Sequence, residues 1–114
     1  MTIERLETGR VTMLRLDGDI DEDGVDELRL ALTSCLEDRR CNVVLNLEDV
    51  SFVSYMGVGV LVERLRQFRA SGGDMRLVSV NLYTQRLFRM VGVGRTFDTF
   101  ESETQAIQAY QEAA

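Results

Sequence analysis

The sequence predicts an α/β fold in which helices flank a mixed, mostly parallel sheet of about four or five strands. Short runs of β-branched and aliphatic residues alternate with longer segments whose apolar residues recur every three or four positions. The first two strand-like runs are adjacent, whereas a helix-like segment separates each later pair. Because helical crossovers join parallel strands, the order ββαβαβαβα predicts a largely parallel arrangement from the second strand onward.

The N-terminal third is predicted to contain a hairpin and one helix. Residues 2–7 and 11–16 have strand-like patterns, and Gly9 supplies the turn between them because glycine tolerates a positive φ. Residues 17–24 then form the most acidic stretch of the chain. A helix over residues 25–38 follows, and the acids before it suit the positive end of its dipole.

The acidic stretch is predicted to be a capping loop rather than a metal site. Asp21 or Asp23 is expected to cap the following helix. The alternating acids superficially resemble a calcium-binding loop, but the glycine and glutamate positions that an EF-hand requires do not match. We therefore expect no metal and no cofactor.

Residues 43–73 are predicted to form a buried strand, a polar loop and a long amphipathic helix. Ser54 is a suitable N-cap, and Gly72 with Gly73 allows the left-handed backbone that ends a helix. The inward helix residues lie three or four apart, namely Val58, Leu61, Val62, Leu65 and Phe68. A helix that begins just past a parallel strand lies where open α/β sheets place their binding sites.

The C-terminal part is predicted to add two strands and two helices. Residues 75–80 and 96–100 form the strands, and Asn81 caps the intervening helix. Ser102 and Gln105 have the spacing of a capping box for the last helix. The expected inward residues are Leu87 and Val91 in the first helix and Ala106, Ile107 and Tyr110 in the second.

Length and composition indicate one domain over residues 1–114 and exclude several functions. The net charge of −6 argues against nucleic-acid binding, which depends on cations that neutralise phosphates. No apolar run is long enough to span a membrane and no signal-peptide pattern is present, so a cytoplasmic location is expected. Histidine and lysine are both absent, which removes the commonest general base and Schiff-base chemistry. We therefore do not expect an enzyme.

Cys35 and Cys41 are the only cysteines. They are predicted to be reduced, largely buried thiols, although a disulfide stays open because the sequence does not give the geometry. Neither cysteine is expected to lie in an electropositive setting.

Five segments together resemble the STAS domain family, in particular its bacterial anti-sigma factor antagonist branch. They are residues 18–21, 45–52, 57–59, 72–73 and 87–93, and the similarity covers essentially the whole chain. The resemblance implies a STAS-like fold and a protein that binds an anti-sigma factor, also a serine kinase, to control sigma-factor-dependent transcription. It also leaves a weak homodimer open.

The sequence departs from this family at the phosphorylation site. In relatives the kinase phosphorylates a serine at the start of the helix after the third strand. Aligned on Gly57 and Gly59, Met56 takes the place of that serine, and Ser54 and Tyr55 precede it. Methionine has no hydroxyl, so the resemblance implies that the usual phosphoacceptor is absent. Weaker candidate acceptors are Ser51, Ser54 and Tyr55.

The start of this helix is predicted to present an apolar docking surface instead. Tyr55, Met56 and Val60 are expected to face outward, because methionine adapts to irregular surfaces and tyrosine often anchors interfaces. The expected partner-binding set is Asp21, Ser54, Tyr55, Met56, Gly57, Gly59, Val60 and Glu63. The alternative function is a non-phosphorylated STAS scaffold subunit of a larger signalling or lipid-transport assembly.

Overall fold

The computed structural model describes residues 1–112 and contains the predicted elements in the predicted order. The strands are β1 (Thr2–Thr8), β2 (Val11–Asp17), β3 (Asn42–Asp49), β4 (Asp74–Val78) and β5 (Thr99–Phe100). The helices are α1 (Glu22–Glu37), α2 (Tyr55–Ala70), α3 (Leu82–Met90) and α4 (Glu103–Glu112).

The five strands form one sheet in the spatial order β1-β2-β3-β4-β5. β1 is antiparallel to β2, and each later pair is parallel, which confirms the predicted mixed and mostly parallel sheet. Gly9 has a φ of 60° in the hairpin turn. We call the edge where the carboxyl ends of β2 to β5 meet the apical edge, and the opposite edge the basal edge.

Helices cover both faces of the sheet. On one face Val43, Leu45 and Leu47 of β3 pack in a large core cluster together with residues of α1, α2 and α3. On the other face a smaller cluster lies under α4; its buried members are Val11, Met13, Val44, Val78 and Ala106. The alternation along β3 follows from the pleat of a strand, which sends successive side chains to opposite faces.

Helix α2 is buried over a wider arc than its apolar spacing predicts. Val60 is only 4% exposed, so the prediction that it faces outward is wrong. The reason is that α2 packs against α1 as well as the sheet. One turn after Val60, Arg64 donates a hydrogen bond to Thr33 Oγ1 of α1 (3.0 Å). Val60 therefore belongs to the core.

The segment after α3 also differs from the prediction. Val91 was expected to face inward but is 40% exposed, because α3 ends at Met90 and Gly92, with a φ of 81°, turns the chain away from the helix. The amide of Val93 then donates to Phe88 O (2.8 Å), and Val93 turns back toward the core. The final strand includes only the last two of residues 96–100.

The helix caps are placed as predicted for three helices. Asp21 caps α1, Ser54 caps α2 and Asn81 caps α3, each through its side-chain oxygen. At α4 half of the predicted capping box forms: Ser102 Oγ accepts from the Gln105 amide (3.2 Å). The Gln105 side chain accepts instead from the amide of Glu101 (3.3 Å).

Two side chains of α4, those of Tyr110 and Glu103, bind the helix to the sheet. The Tyr110 hydroxyl lies 2.7 Å from Val43 O and 2.8 Å from Asp74 O, and it accepts from the Val43 amide (3.1 Å). Burial raises the pKa of Tyr110. Arg15 of β2 binds both carboxylate oxygens of Glu103 at 2.9 Å, and this hydrogen-bonded cation lowers the pKa of Glu103.

The two cysteines have different environments. Cys35 is a free, fully buried thiol of the core, and burial raises its pKa. Cys41 is free and half-buried, and it lines a basal-edge pocket together with Arg10, Arg39 and Arg40. The prediction that neither cysteine lies in an electropositive setting is therefore wrong for Cys41.

Candidate functional site

Two apical loops are joined by backbone hydrogen bonds. Ile20, in the loop before α1, forms a parallel bridge with Val53, in the loop before α2. The Ile20 amide donates to Phe52 O (2.9 Å), and the Ser54 amide donates to Ile20 O (2.9 Å). The N-cap of α1, Asp21, is therefore held next to the N-cap of α2.

Gly57 makes this close approach of the two loops compatible with a helix. A Cβ on Gly57 would lie 2.7 Å from Ile20 Cγ2 and 3.0 Å from Val53 Cγ1, closer than real side chains pack. Gly57 is buried, which corrects its place in the expected partner-binding set: it is a packing residue beneath the surface. Gly59 differs, because a Cβ there would meet no atom within 4 Å.

The first turn of α2 presents apolar side chains to solvent. Tyr55 is 67% exposed and Met56 is 54% exposed, as the sequence predicted. Phe52, in the preceding loop, and Tyr83, in the first turn of α3, are also exposed and stack with ring centroids 6.1 Å apart. We call Phe52, Tyr55, Met56 and Tyr83 the docking patch.

Sequence reasoning missed Phe52 and Tyr83. Phe52 could have been found as the one aromatic residue in a polar loop. Tyr83 lies one turn before the buried Leu87, so helical spacing alone assigns it to the core. It is exposed because the first turn of α3 lies at the apical edge, where the Asn81 side chain donates to Val50 O (3.2 Å).

Seven carboxylates lie in or next to the two apical loops, at the ends of β2 and β3 and at the start of α1. We call them the acidic rim: Asp17, Asp19, Asp21, Glu22, Asp23, Glu48 and Asp49, all exposed. Within residues 1–112 none of them forms an ion pair. No set of three His, Cys, Asp or Glu side chains in that part of the chain is close enough to hold a metal ion. The rim is thus a strongly negative border around an apolar surface.

A groove of about 610 Å³ continues from the docking patch along α2. Val58, Val62, Val91 and Val93 form apolar walls between α2 and the segment after α3, and Tyr55 lies at one end. Gly59 and Glu63 from the predicted partner-binding set also line it, which places them on one accessible surface with Tyr55. The exposed Val91 therefore has a place in this groove.

The candidate phosphoacceptors differ in hydrogen bonding and in exposure to solvent. Ser54 Oγ accepts from the Gly57 amide (3.0 Å), so its hydroxyl oxygen is engaged as a cap. Ser51 and Tyr55 are exposed. Met56 lies in the first turn of α2, where helix amides have no intrahelical acceptors.

These features define a class: an α/β domain whose apical edge exposes an apolar surface with a charged border. The chain belongs to the STAS domain family, whose model matches residues 2–106. No helix of residues 1–112 has both the length and the apolar character needed to cross a membrane.

Several proteins similar to this chain are named anti-sigma factor antagonists. The chain is 29% identical over 98 residues to an anti-sigma F factor antagonist of Paenibacillus polymyxa, with 85% of this chain and 84% of that protein covered. It is 26% identical over 93 residues to an anti-sigma-B factor antagonist of Staphylococcus aureus, covering 82% and 86%. The fold matches the anti-sigma factor antagonist SpoIIAA in its unphosphorylated form with a TM-score of 0.83, 22% identity and 97% of both chains covered.

Proposed function

We propose that this chain is a cytoplasmic anti-sigma factor antagonist that binds an anti-sigma factor through the docking patch. The main observation behind this proposal is that Tyr55 and Met56 are exposed at the start of α2. In addition, relatives of the chain are named as antagonists of anti-sigma factors. Solvent-exposed apolar side chains gathered at one edge are typical of an interaction surface. The partner we propose is an anti-sigma factor that is also a serine kinase.

In the proposed interface Tyr55 is the anchor residue, and Met56 next to it adapts to the shape of the partner. Tyrosine buries a large area at a small cost in conformational entropy, and methionine fits irregular surfaces. Gly59, which has open space around its Cα, lets a partner backbone come close to α2. The groove next to Tyr55 can receive an apolar side chain of the partner.

We propose that binding is not switched off by phosphorylation at the usual position, because Met56 occupies it. Phosphorylation there would add about −1.5 to −2 charges to the first turn of α2, inside the interface. Without a hydroxyl at residue 56 the chain stays competent to bind, and its control lies elsewhere.

The acidic rim suggests the charge of the partner. The seven carboxylates of the acidic rim, which form no ion pair within residues 1–112, favour a surface that brings arginine or lysine to the border of the interface. Such a pair of surfaces associates faster at low ionic strength. We therefore expect the association rate to fall as salt is raised, while the dissociation rate changes little.

The phosphorylation proposal is tested with the anti-sigma factor kinases of the host. Wild-type protein and the variant Met56→Ser are incubated with each kinase and ATP, and intact mass is measured. We expect one added phosphate on Met56→Ser and none on the wild type. A phosphate on wild-type Ser51, Ser54 or Tyr55 would overturn the proposal.

The binding proposal is tested by biolayer interferometry with the same anti-sigma factors. We expect Tyr55→Ala to weaken binding about thirtyfold, the loss of a typical interface anchor. Leu30→Ala is the matched control, since Leu30 is 72% exposed on α1 outside the patch. Wild-type protein that binds none of these factors and instead forms a large assembly in light scattering would favour the scaffold function.

A further inference from the structure

We propose that the basal edge binds a small phosphate-bearing anion in a pocket lined by arginines, independently of the docking patch. This arginine pocket has a volume of about 460 Å³ and lies where the β1–β2 turn, the α1–β3 connection and the α2–β4 turn meet. Arg10 comes from the first of these segments, and Arg39 and Arg40 come from the second. Among the residues that the structure describes, no acidic side chain lines the pocket.

The backbone of Arg39 points to a use for its side chain. Arg39 has a φ of 56° just after α1, in the left-handed region that favours glycine. At the equivalent places after α2 and α3 the chain has Gly72, with a φ of 87°, and Gly92, with a φ of 81°. The same hydrogen bond closes all three helices; after α1 it runs from the Arg40 amide to Cys35 O (2.9 Å). An arginine in this strained conformation, at a place where the two other helices have glycine, is better explained by a use of its side chain than by the needs of the turn.

Two of the three arginines are not neutralised. Arg10 and Arg39 form no ion pair within residues 1–112. Arg40 is committed to the fold: its Nε donates to Thr12 Oγ1 (2.6 Å) and its Nη2 donates to Gly9 O (2.8 Å). The nearest carboxylate oxygen to Arg40, on Glu7, is 3.7 Å away. Four other arginines in that part of the chain form no ion pair either, so what distinguishes the pocket is that two such arginines line one cavity.

The negative end of the α1 dipole accounts for one arginine of the pocket, but not for two arginines from different segments. A cation after a helix gains from the negative end of the dipole, and Arg39 alone supplies that. Arg10 belongs to a different segment, the hairpin turn, and yet lines the same pocket. Two guanidinium groups from separate loops around one cavity match an anion with several oxygens.

The pocket has a fixed wall and a small volume. A Cβ on Gly73 would collide with the carbonyl oxygen of Cys41, and the Asp74 amide donates to that same oxygen (3.0 Å). The α2–β4 turn is therefore packed tightly against residue 41. The volume lies near the lower end of the range for small-molecule sites, which favours a compact ligand such as a phosphate ester or pyrophosphate.

Titration calorimetry with pyrophosphate, at an ionic strength held constant with sodium chloride, tests the proposal. We expect one pyrophosphate per chain and amide NMR shifts confined to residues 9–11, 39–42 and 71–74. Arg39→Gly and Arg10→Gln are each expected to weaken binding at least about tenfold, the usual loss for a hydrogen-bonded charge. Arg39→Gly is expected to fold normally, because it removes a left-handed residue with a Cβ.

The matched control is Arg29→Gln, because Arg29 is a half-buried arginine of α1 that pairs with Asp26 (3.3 Å) and lies outside the pocket. It is expected to bind pyrophosphate like the wild type. The absence of binding to the wild type would overturn the proposal. Equal losses in Arg29→Gln and Arg39→Gly would also overturn it, since binding would then follow overall charge. Tyr55→Ala is expected to leave pyrophosphate binding unchanged, which separates this test from that of the proposed function.

Discussion

Gly57 and Gly59 offer a matched pair of substitutions with opposite expected effects on stability. Both glycines lie in the first turns of α2, two residues apart, and each is replaced by alanine. A methyl group at position 57 enters a space already filled by Ile20 and Val53. A methyl group at position 59 points into open solvent.

The magnitudes follow from these surroundings. The new Cβ at position 57 would lie 2.7 Å from Ile20 Cγ2 and 3.2 Å from Ile20 O, and the oxygen belongs to backbone that is hydrogen-bonded to Ser54. Overpacking of this kind costs about 1–3 kcal/mol of unfolding free energy. Gly59→Ala should instead gain about 0.5–1 kcal/mol, because alanine loses less backbone entropy in a helix.

Urea unfolding followed by far-ultraviolet circular dichroism measures both changes. We expect the midpoint to fall for Gly57→Ala and to rise for Gly59→Ala, with the denaturant slope unchanged. Gly59→Ala should also weaken anti-sigma factor binding, since its methyl group lies on the proposed interface. If Gly57→Ala is as stable as the wild type, the close packing of the two apical loops is wrong.

Two further predictions concern the attachment of α4. Tyr110→Phe removes the acceptor of the buried Val43 amide and should cost about 1–3 kcal/mol, measured by urea unfolding; an unchanged midpoint would show that the hydroxyl contributes nothing. Because Arg15 holds the pKa of Glu103 below 4.5, this pair adds stability that is complete above the unfolded pKa and is lost as pH falls through the folded pKa. Glu103→Gln should therefore flatten the loss of thermal stability below about pH 4.5, and a profile parallel to that of the wild type would contradict this assignment.

The sequence was sufficient for the fold because its local signals are strong and agree with one another. Asp21, Ser54 and Asn81 each precede a segment with helical spacing, and all three are caps in the structure. The order of strands and helices in turn leaves few topologies for the sheet.

Which side of a helix is buried depends on the elements that pack against it. The sequence of the helix itself does not show what those elements are. Val60 lies opposite the stripe that faces the sheet, yet the contact of α2 with α1 buries it. The sequence singled out Gly57 only through the resemblance to a family. The physical reason for a glycine there, the proximity of Ile20, is a tertiary contact. Spacing also assigned Val91 to the core, because it continues the Leu87 face past Met90, where α3 ends.

The arginine pocket lay outside sequence reasoning for a similar reason. Arg10 and Arg39 are 29 positions apart and meet only because the basal ends of β2 and β3 are neighbours. The positive φ of Arg39 is likewise invisible in a sequence that has no glycine at that place.

Binding of the anti-sigma factor to Met56→Asp tests the docking patch most directly. Aspartate at this exposed position should leave the unfolding free energy within about 0.5 kcal/mol of the wild type, whereas a charge inside the interface should weaken binding at least tenfold. Leu30→Asp, also at an exposed apolar position, should bind like the wild type. A folded Met56→Asp variant that binds the anti-sigma factor with unchanged affinity would contradict the placement of the interface at the start of α2.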